Sequence, residues 1–215
     1  MKKQYVVFGI DRFGASIART LEQNGCQVIA VDHDSEKIQM IADEVSYAMT
    51  ADVEDPEAIE SLGLKNVDGA VITMVNHMEA SIVAAMMCQE LGMNYIVARA
   101  KNDMHGRILE KIGVSKVVYP EQEMGERIGR YIAAQDFMDW IALSPEFSLV
   151  EVAMPREWAG KSLAELDVRK KYGFNVVGIK KGSEMIMQFD PNEPLEDDDV
   201  LFVIGKNADL EKFQD

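Results

Sequence analysis

A chain of 215 residues, 47% apolar and 27% charged, is long enough for one large globular domain or two small ones. Its net charge of -15 argues against nucleic acid or anionic lipid headgroups as partners, since both call for a basic face. No apolar run approaches the roughly 20 residues of a membrane span. MKKQYVVFGIDR runs straight into the first motif, so no signal peptide is expected. Cys26 and Cys88 lack disulfide or metal-ligand spacing, which predicts free thiols in a cytoplasmic protein.

Up to about Pro120, short apolar runs alternate with helical patterns. The runs are YVVFG, QVIAVD, SYAMTAD, VDGAVITM, NYIVARA and SKVVYP. Between them lie ASIARTLEQNG, SEKIQMIADE, DPEAIESLG, MEASIVAAMMCQELG and DMHGRILEKIG, with Gly25, Gly63, Gly92 and Gly113 placed where helices should stop. Strands alternating with helices predict an α/β fold: a Rossmann-like, doubly wound parallel sheet with right-handed crossovers.

Past Pro120 the rhythm changes. Residues 121–143 read as a long helix or a helix pair, with Met124, Ile128, Tyr131, Ile132, Met138 and Ile141 forming an apolar stripe. The stripe suits either a core helix covering the sheet or a helix crossing to a second subunit, to which Phe137, Met138 and Trp140 add bulk. From Ser144 on, FSLVEVAMP, a short helix near SLAELDVRKKYG, FNVVGIKKG, EMIMQFD and DVLFVIG predict a second, small α+β domain. The expected division is 1–143 and 144–215. The acidic run Glu196–Asp199, just before a strand, reads as a solvated turn rather than a metal site.

The stretch VVFGIDRFGASIA carries the first candidate site. Gly9 permits a tight turn after the first strand, and Gly14 permits close packing of the following helix. Exposed N–H groups at that helix start suit a phosphate. Asp32, with His33 beside it, ends the second strand where a carboxylate accepts both ribose hydroxyls and disfavours a 2′-phosphate. Asp11 stands where the dinucleotide fingerprint has its middle glycine. A carboxylate there brings bulk and charge towards a diphosphate, a repulsion of about 1–4 kcal/mol at ~4 Å unless Arg12 or a metal ion compensates. Arg169, Lys170 and Lys171, followed by Asn175, Val176 and Val177, form a second candidate. An arginine fork and an amide suit a phosphate or a base, while cations at a helix end also have a purely structural use.

GIDRFGASIARTLEQNGCQVIAVDHD, ADVEDPEAIESLG, RAKNDMHGRILEKIGVSKVVYPEQEMGERI and LDVRKKYGFNVVGIKKG together resemble the RCK (regulator of conductance of potassium) family, in particular the cytosolic subunits of Ktr/Trk potassium uptake systems. The resemblance covers essentially the whole chain. It implies homodimers assembling into a ring, a tetramer or octamer, that docks beneath a membrane-embedded potassium channel subunit and is reshaped by an adenine nucleotide (ATP/ADP or NAD/NADH). It implies Gly9, Arg12, Phe13 and Gly14 as the phosphate turn, with Asp11 the departure from the family pattern, and Asp32 as the ribose acid. It further implies Asp52 and Val53 near the adenine, Thr73 and Met74 at the end of the fourth strand, and Arg99 as the basic residue of the fifth. Glu121 matches an acid that helps hold a divalent cation, Mg or Ca, in some members. In the small domain it implies cyclic di-AMP at a dimer interface, held by Leu163, Asp167, Val168, Arg169, Asn175, Val177 and Pro191.

Two other classes compete with a regulatory module. An NAD-dependent dehydrogenase needs an acid/base near the nicotinamide, and His33, His77 and His105 form no catalytic constellation. A degenerate first domain, with sensing left to the small domain, is the alternative that Asp11 raises.

Overall fold

Strand β1 (Gln4–Phe8) settles the layering of the first unit. Val6 and Phe8 point into one apolar cluster and Val7 into another, and all three are fully buried. Strands β2 (Gln27–Asp32), β3 (Tyr47–Thr50), β4 (Gly69–Ile72), β5 (Tyr95–Arg99) and β6 (Lys116–Val118) complete a parallel sheet of order β3-β2-β1-β4-β5-β6. Helices α1 (Arg12–Gln23) and α2 (Ser35–Ile41) contribute Ala18, Ile38 and Ile41 to the Val7 side. Helices α3 (Pro56–Ser61), α4 (Met78–Glu90) and α5 (Asp103–Ile112) contribute Ile59, Ala84, Cys88 and Leu109 to the other. Burial on both faces is why the strands read as unbroken apolar runs rather than alternating ones. Each such Val, Ile, Leu or Phe contributes about 1.5–3 kcal/mol relative to leaving it exposed. Strand order reverses between β1 and β4, and the open edge there, at the carboxyl ends of the strands, is where such sheets bind ligands.

The computed structural model describes residues 2–133 and 137–213. The side chains at 56, 130, 131, 133 and 137–139 lie outside the description, and with them the parts of the apolar stripe expected at Tyr131, Phe137 and Met138. The chain divides into two compact units, Met1–Pro120 and Glu121–Asp215. In the second, β7 (Phe137–Ala142), β8 (Phe147–Ala153), β9 (Asn175–Lys181), β10 (Glu184–Ile186) and β11 (Val200–Lys206) form an antiparallel sheet of order β10-β9-β11-β8-β7. Helices α6 (Pro120–Ala133), α7 (Leu163–Leu166), α8 (Val168–Tyr172) and α9 (Asn207–Lys212) accompany it. Its core centres on Trp158, Phe174, Leu201 and Leu210, with the Phe213 ring 4.9 Å from that of Phe174.

The helical reading of residues 121–143 needs correction. Only α6 is helical; residues 137–142 form an edge strand, with Ile141 opposite Leu149. Trp140 is buried while its neighbour Ile141 is 44% exposed, the period-two signature of a strand, which a short helical window had absorbed. Met124, Ile128 and Ile132 on α6 are 50%, 49% and 73% exposed, so among the described residues they line no core. The turn reading of Glu196–Asp199 fits the geometry, since buried Asp199 accepts the Glu196 N–H at 2.9 Å.

Candidate functional site

The turn after β1 is shaped by what it cannot hold. Gly9 has φ +89°, and a Cβ there would lie 2.7 Å from both Met74 Cγ and Thr73 Oγ1. A Cβ on Gly14 would collide with the Gly9 carbonyl oxygen, so glycine lets α1 sit directly on the turn. Buried Thr73, just past β4, ties the two strand ends together. Its hydroxyl donates at 2.7 Å to the Gly9 carbonyl and lies 3.1 Å from that of Phe8, which also accepts the Thr73 N–H.

Asp32 ends β2 and is 4% exposed. Its Oδ2 accepts the Ile10 N–H at 2.6 Å and its Oδ1 the Asp34 N–H at 2.9 Å. Lys37 Nζ lies 3.3 Å from one oxygen and His33 Nδ1 3.2 Å from the other. Burial by itself would raise the carboxyl pKa, but the two main-chain donors and Lys37 together outweigh it and leave the group below its ordinary value. It is therefore a fixed anion beside the turn. Its contacts with Lys37 and His33 are longer, and an incoming hydroxyl donor would have to replace them.

Asp11 behaves differently from the bare obstruction expected of it. It is the N-cap of α1: one oxygen accepts the N–H groups of Phe13 at 3.0 Å and Gly14 at 2.9 Å. The other lies 2.7 Å from Arg99 Nη1, whose guanidinium also sits 5.2 Å above the Phe13 ring. The compensating cation is Arg99 from β5, whereas Arg12 is exposed.

A cavity of about 260 Å³ opens over this edge, lined by Gly9, Asp11, Asp32, His33, Asp52, Val53, Thr73 and Met74 among others. Arg12, Phe13, Gly14 and Arg99 lie outside its lining. Residues that sequence reasoning left out also line it: Lys37, Glu54, Asn76 and His77. Lys37 carries a readable signal, a cation one turn into the helix that follows the ribose acid. The His33 and His77 rings stand 5.5 Å apart, edge to face. Glu121 is exposed in the first turn of α6, and no group of three or more His, Cys, Asp or Glu able to hold a metal ion is found among the described residues.

The second unit has a shallower concavity of about 240 Å³, where Leu163, Asp167, Val168, Arg169, Asn175 and Pro191 meet. Val176 and Phe189 line it too, whereas Val177 does not. Asp167, between α7 and α8, is the one described non-glycine residue with left-handed backbone, at φ +48°. The Ala164 N–H donates to the Pro191 carbonyl at 2.9 Å, holding α7 against the loop before β11. Among the described residues the exposed Arg169 and Asn175 side chains have no ion-pair or hydrogen-bond partner, so their donors remain available at the rim.

Cys88 and His105 line neither concavity. Burial pushes the Cys88 thiol up to about 12. His105 is fully buried, its pKa lowered by burial and by Lys101, with Nδ1 accepting the Lys101 N–H at 3.2 Å. No helix among the described residues is long and apolar enough to cross a membrane.

Comparison with known proteins agrees with this two-unit architecture. The TrkA-N domain model matches residues 5–120 and the TrkA-C domain model residues 147–215. The chain is 38% identical to Ktr system potassium uptake protein C of Bacillus subtilis, with 100% of this chain and 97% of that protein covered. It is 31% identical to Ktr system potassium uptake protein A of the same organism, with 99% and 96% covered. Among solved structures, the GsuK RCK domain superposes with a TM-score of 0.66 at 18% identity, covering all of this chain and 47% of that one. A GsuK channel bound to NAD gives 0.65 at 16% identity, covering 98% and 38%, so the chain spans about half or less of these neighbours. At such identity they show a shared RCK fold. The chain belongs to the TrkA-N/TrkA-C family, whose members include the Ktr potassium uptake proteins.

Proposed function

We propose that this chain is a non-catalytic, cytosolic regulatory subunit of a potassium uptake channel, with one ligand site in each unit. The first unit binds an adenine nucleotide and the second binds cyclic di-AMP. The observation that carries the reading is the cavity at the strand-order reversal, with the anionic Asp32 carboxylate at its ribose end. Full-length similarity to the Ktr proteins supports a membrane-embedded channel subunit as the partner. A homodimer built into a ring, tetramer or octamer, belongs to the same proposal, and the exposed apolar residues of α6 suit contact with a second subunit. Glu121 belongs to the same proposal as one oxygen ligand of a divalent cation, Mg or Ca, which needs roughly six. In the second unit, the unpaired donors of Arg169 and Asn175 beside apolar Leu163 and Val168 suit a phosphate next to a base.

The test is a titration of the full-length protein with ATP, ADP, NAD, NADH and cyclic di-AMP, followed by calorimetry and thermal shift. Asp32→Ala is expected to weaken nucleotide binding at least tenfold and leave cyclic di-AMP unaffected; Arg169→Ala should do the reverse. Cyclic di-AMP should saturate at one molecule per dimer. A wild-type chain that shows neither heat nor thermal shift with any of them refutes the reading. The capped start of α1 favours a second version, in which only the Arg169 site senses a ligand. In that case cyclic di-AMP alone gives a signal.

A further inference from the structure

The start of α1 is an anion site that the chain fills with its own carboxylate. Of the first four N–H groups of the helix, those of Phe13 and Gly14 donate to Asp11 Oδ1 and that of Ala15 to the Asp11 carbonyl. A phosphate arriving there meets three donors that are already engaged. Of the nearby cations, Arg99 is engaged with Asp11 at 2.7 Å and Lys37 with Asp32 at 3.3 Å, while Arg12 is exposed and lies outside the cavity lining. The rest of the cavity wall adds no positive charge. Asp11, Asp32, Asp52 and Glu54 against Lys37 give four negative charges to one positive in the lining, and with Arg99, which pairs with Asp11 from outside the lining, the balance is -2.

Resting on the nucleotide reading above, we infer that Asp11 is a specificity-determining residue that makes this cavity recognise adenosine by its base and ribose and penalise phosphate charge. Affinity then runs adenosine ≥ AMP > ADP > ATP, the opposite of a site in which the helix start holds the phosphates. Asp32 and the wall near Asp52 and Val53 remain available for the nucleoside. Placing a phosphate on α1 requires Asp11 to leave its cap and separate from Arg99, so part of the phosphate's attraction is spent replacing an attraction already present.

The experiment measures dissociation constants of adenosine, AMP, ADP and ATP for the full-length protein in EDTA-containing buffer. It is repeated on Asp11→Gly and on Asp11→Asn, which keeps the cap's oxygen acceptor but removes the charge. The wild type is expected to bind ATP no more tightly than adenosine. Both variants should gain at least tenfold for ATP, equal to 1.4 kcal/mol, while adenosine changes less than threefold. Glycine is a tolerated N-cap, and a variant with an altered melting profile is replaced in the comparison by the other. Wild-type protein that binds ATP tenfold more tightly than adenosine overturns the inference and leaves the nucleotide reading intact. If no adenosine-bearing ligand binds the wild type or either variant, the nucleotide reading fails and the inference falls with it.

Discussion

Replacing Asp32 with asparagine changes little in shape and removes one acceptor face. The carboxylate now takes the Ile10 N–H on one oxygen and the Asp34 N–H on the other. An amide offers one oxygen and one NH2, so in either orientation a main-chain donor faces another donor. Leaving a buried donor unsatisfied costs about 1–3 kcal/mol. Loss of the contact with Lys37, whose side chain is 32% exposed, adds less, about 0.2–1 kcal/mol after solvent screening. The combined penalty of about 1–4 kcal/mol, at about 4 °C per kcal/mol for a unit of this size, should lower the melting midpoint of the first unit by about 4–16 °C. Both tryptophans, Trp140 and Trp158, belong to the second unit, so their fluorescence follows that unit and far-ultraviolet circular dichroism is needed for the first. The pH dependence carries a sign. A carboxyl whose folded pKa lies below the unfolded value near 3.8 stabilises the fold above that value and loses its contribution as the pH falls through the folded pKa. The gap between wild type and Asp32→Asn should therefore be fully present at neutral pH and narrow in strong acid. A variant within about 0.5 kcal/mol of wild type at pH 7 would refute the hydrogen-bond reasoning, since surface substitutions fall in that range.

Two further outcomes follow from packing. Gly14→Ala sets a methyl against the Gly9 carbonyl oxygen and 2.8 Å from Thr73 Oγ1, and overpacking of this kind costs about 1–3 kcal/mol. Chemical denaturation followed by circular dichroism should show the first unit weakened and the tryptophan signal unmoved, and an unchanged first transition would contradict the close approach of α1 to the turn. A thiol reagent at pH 8 should label one cysteine per native chain. Cys26 is partly exposed, whereas Cys88 is buried with its thiol pushed up to about 12 and should react only after unfolding. Two rapidly reacting thiols in the native protein would show that the core around α4 opens.

Much of the fold and part of the site were legible because their causes are local. Apolar runs broken at Gly9, Gly25 and Gly113 mark strands and helix ends through backbone sterics that involve only neighbouring residues, and β1 to β6 formed where those runs lie. Gly9, Gly14 and Asp32 were readable for the same reason, since the turn, the helix start and the next strand end are linked by short, stereotyped chain. The strand β7 was not, because Phe137–Ala142 satisfies helical and strand spacing over so short a window, and pairing with β8 decides between them. Nor did spacing reveal the partners of Asp11 and Gly9. Arg99 lies 88 residues from Asp11 and Thr73 lies 64 from Gly9, and they meet because the sheet order places β5 and β4 on the same side of β1. Sequence alone therefore determined that a strand–turn–helix carries an acid in place of a glycine. Tertiary structure decided that this acid is paired with Arg99, because only the packed sheet brings a distant cation within hydrogen-bonding distance.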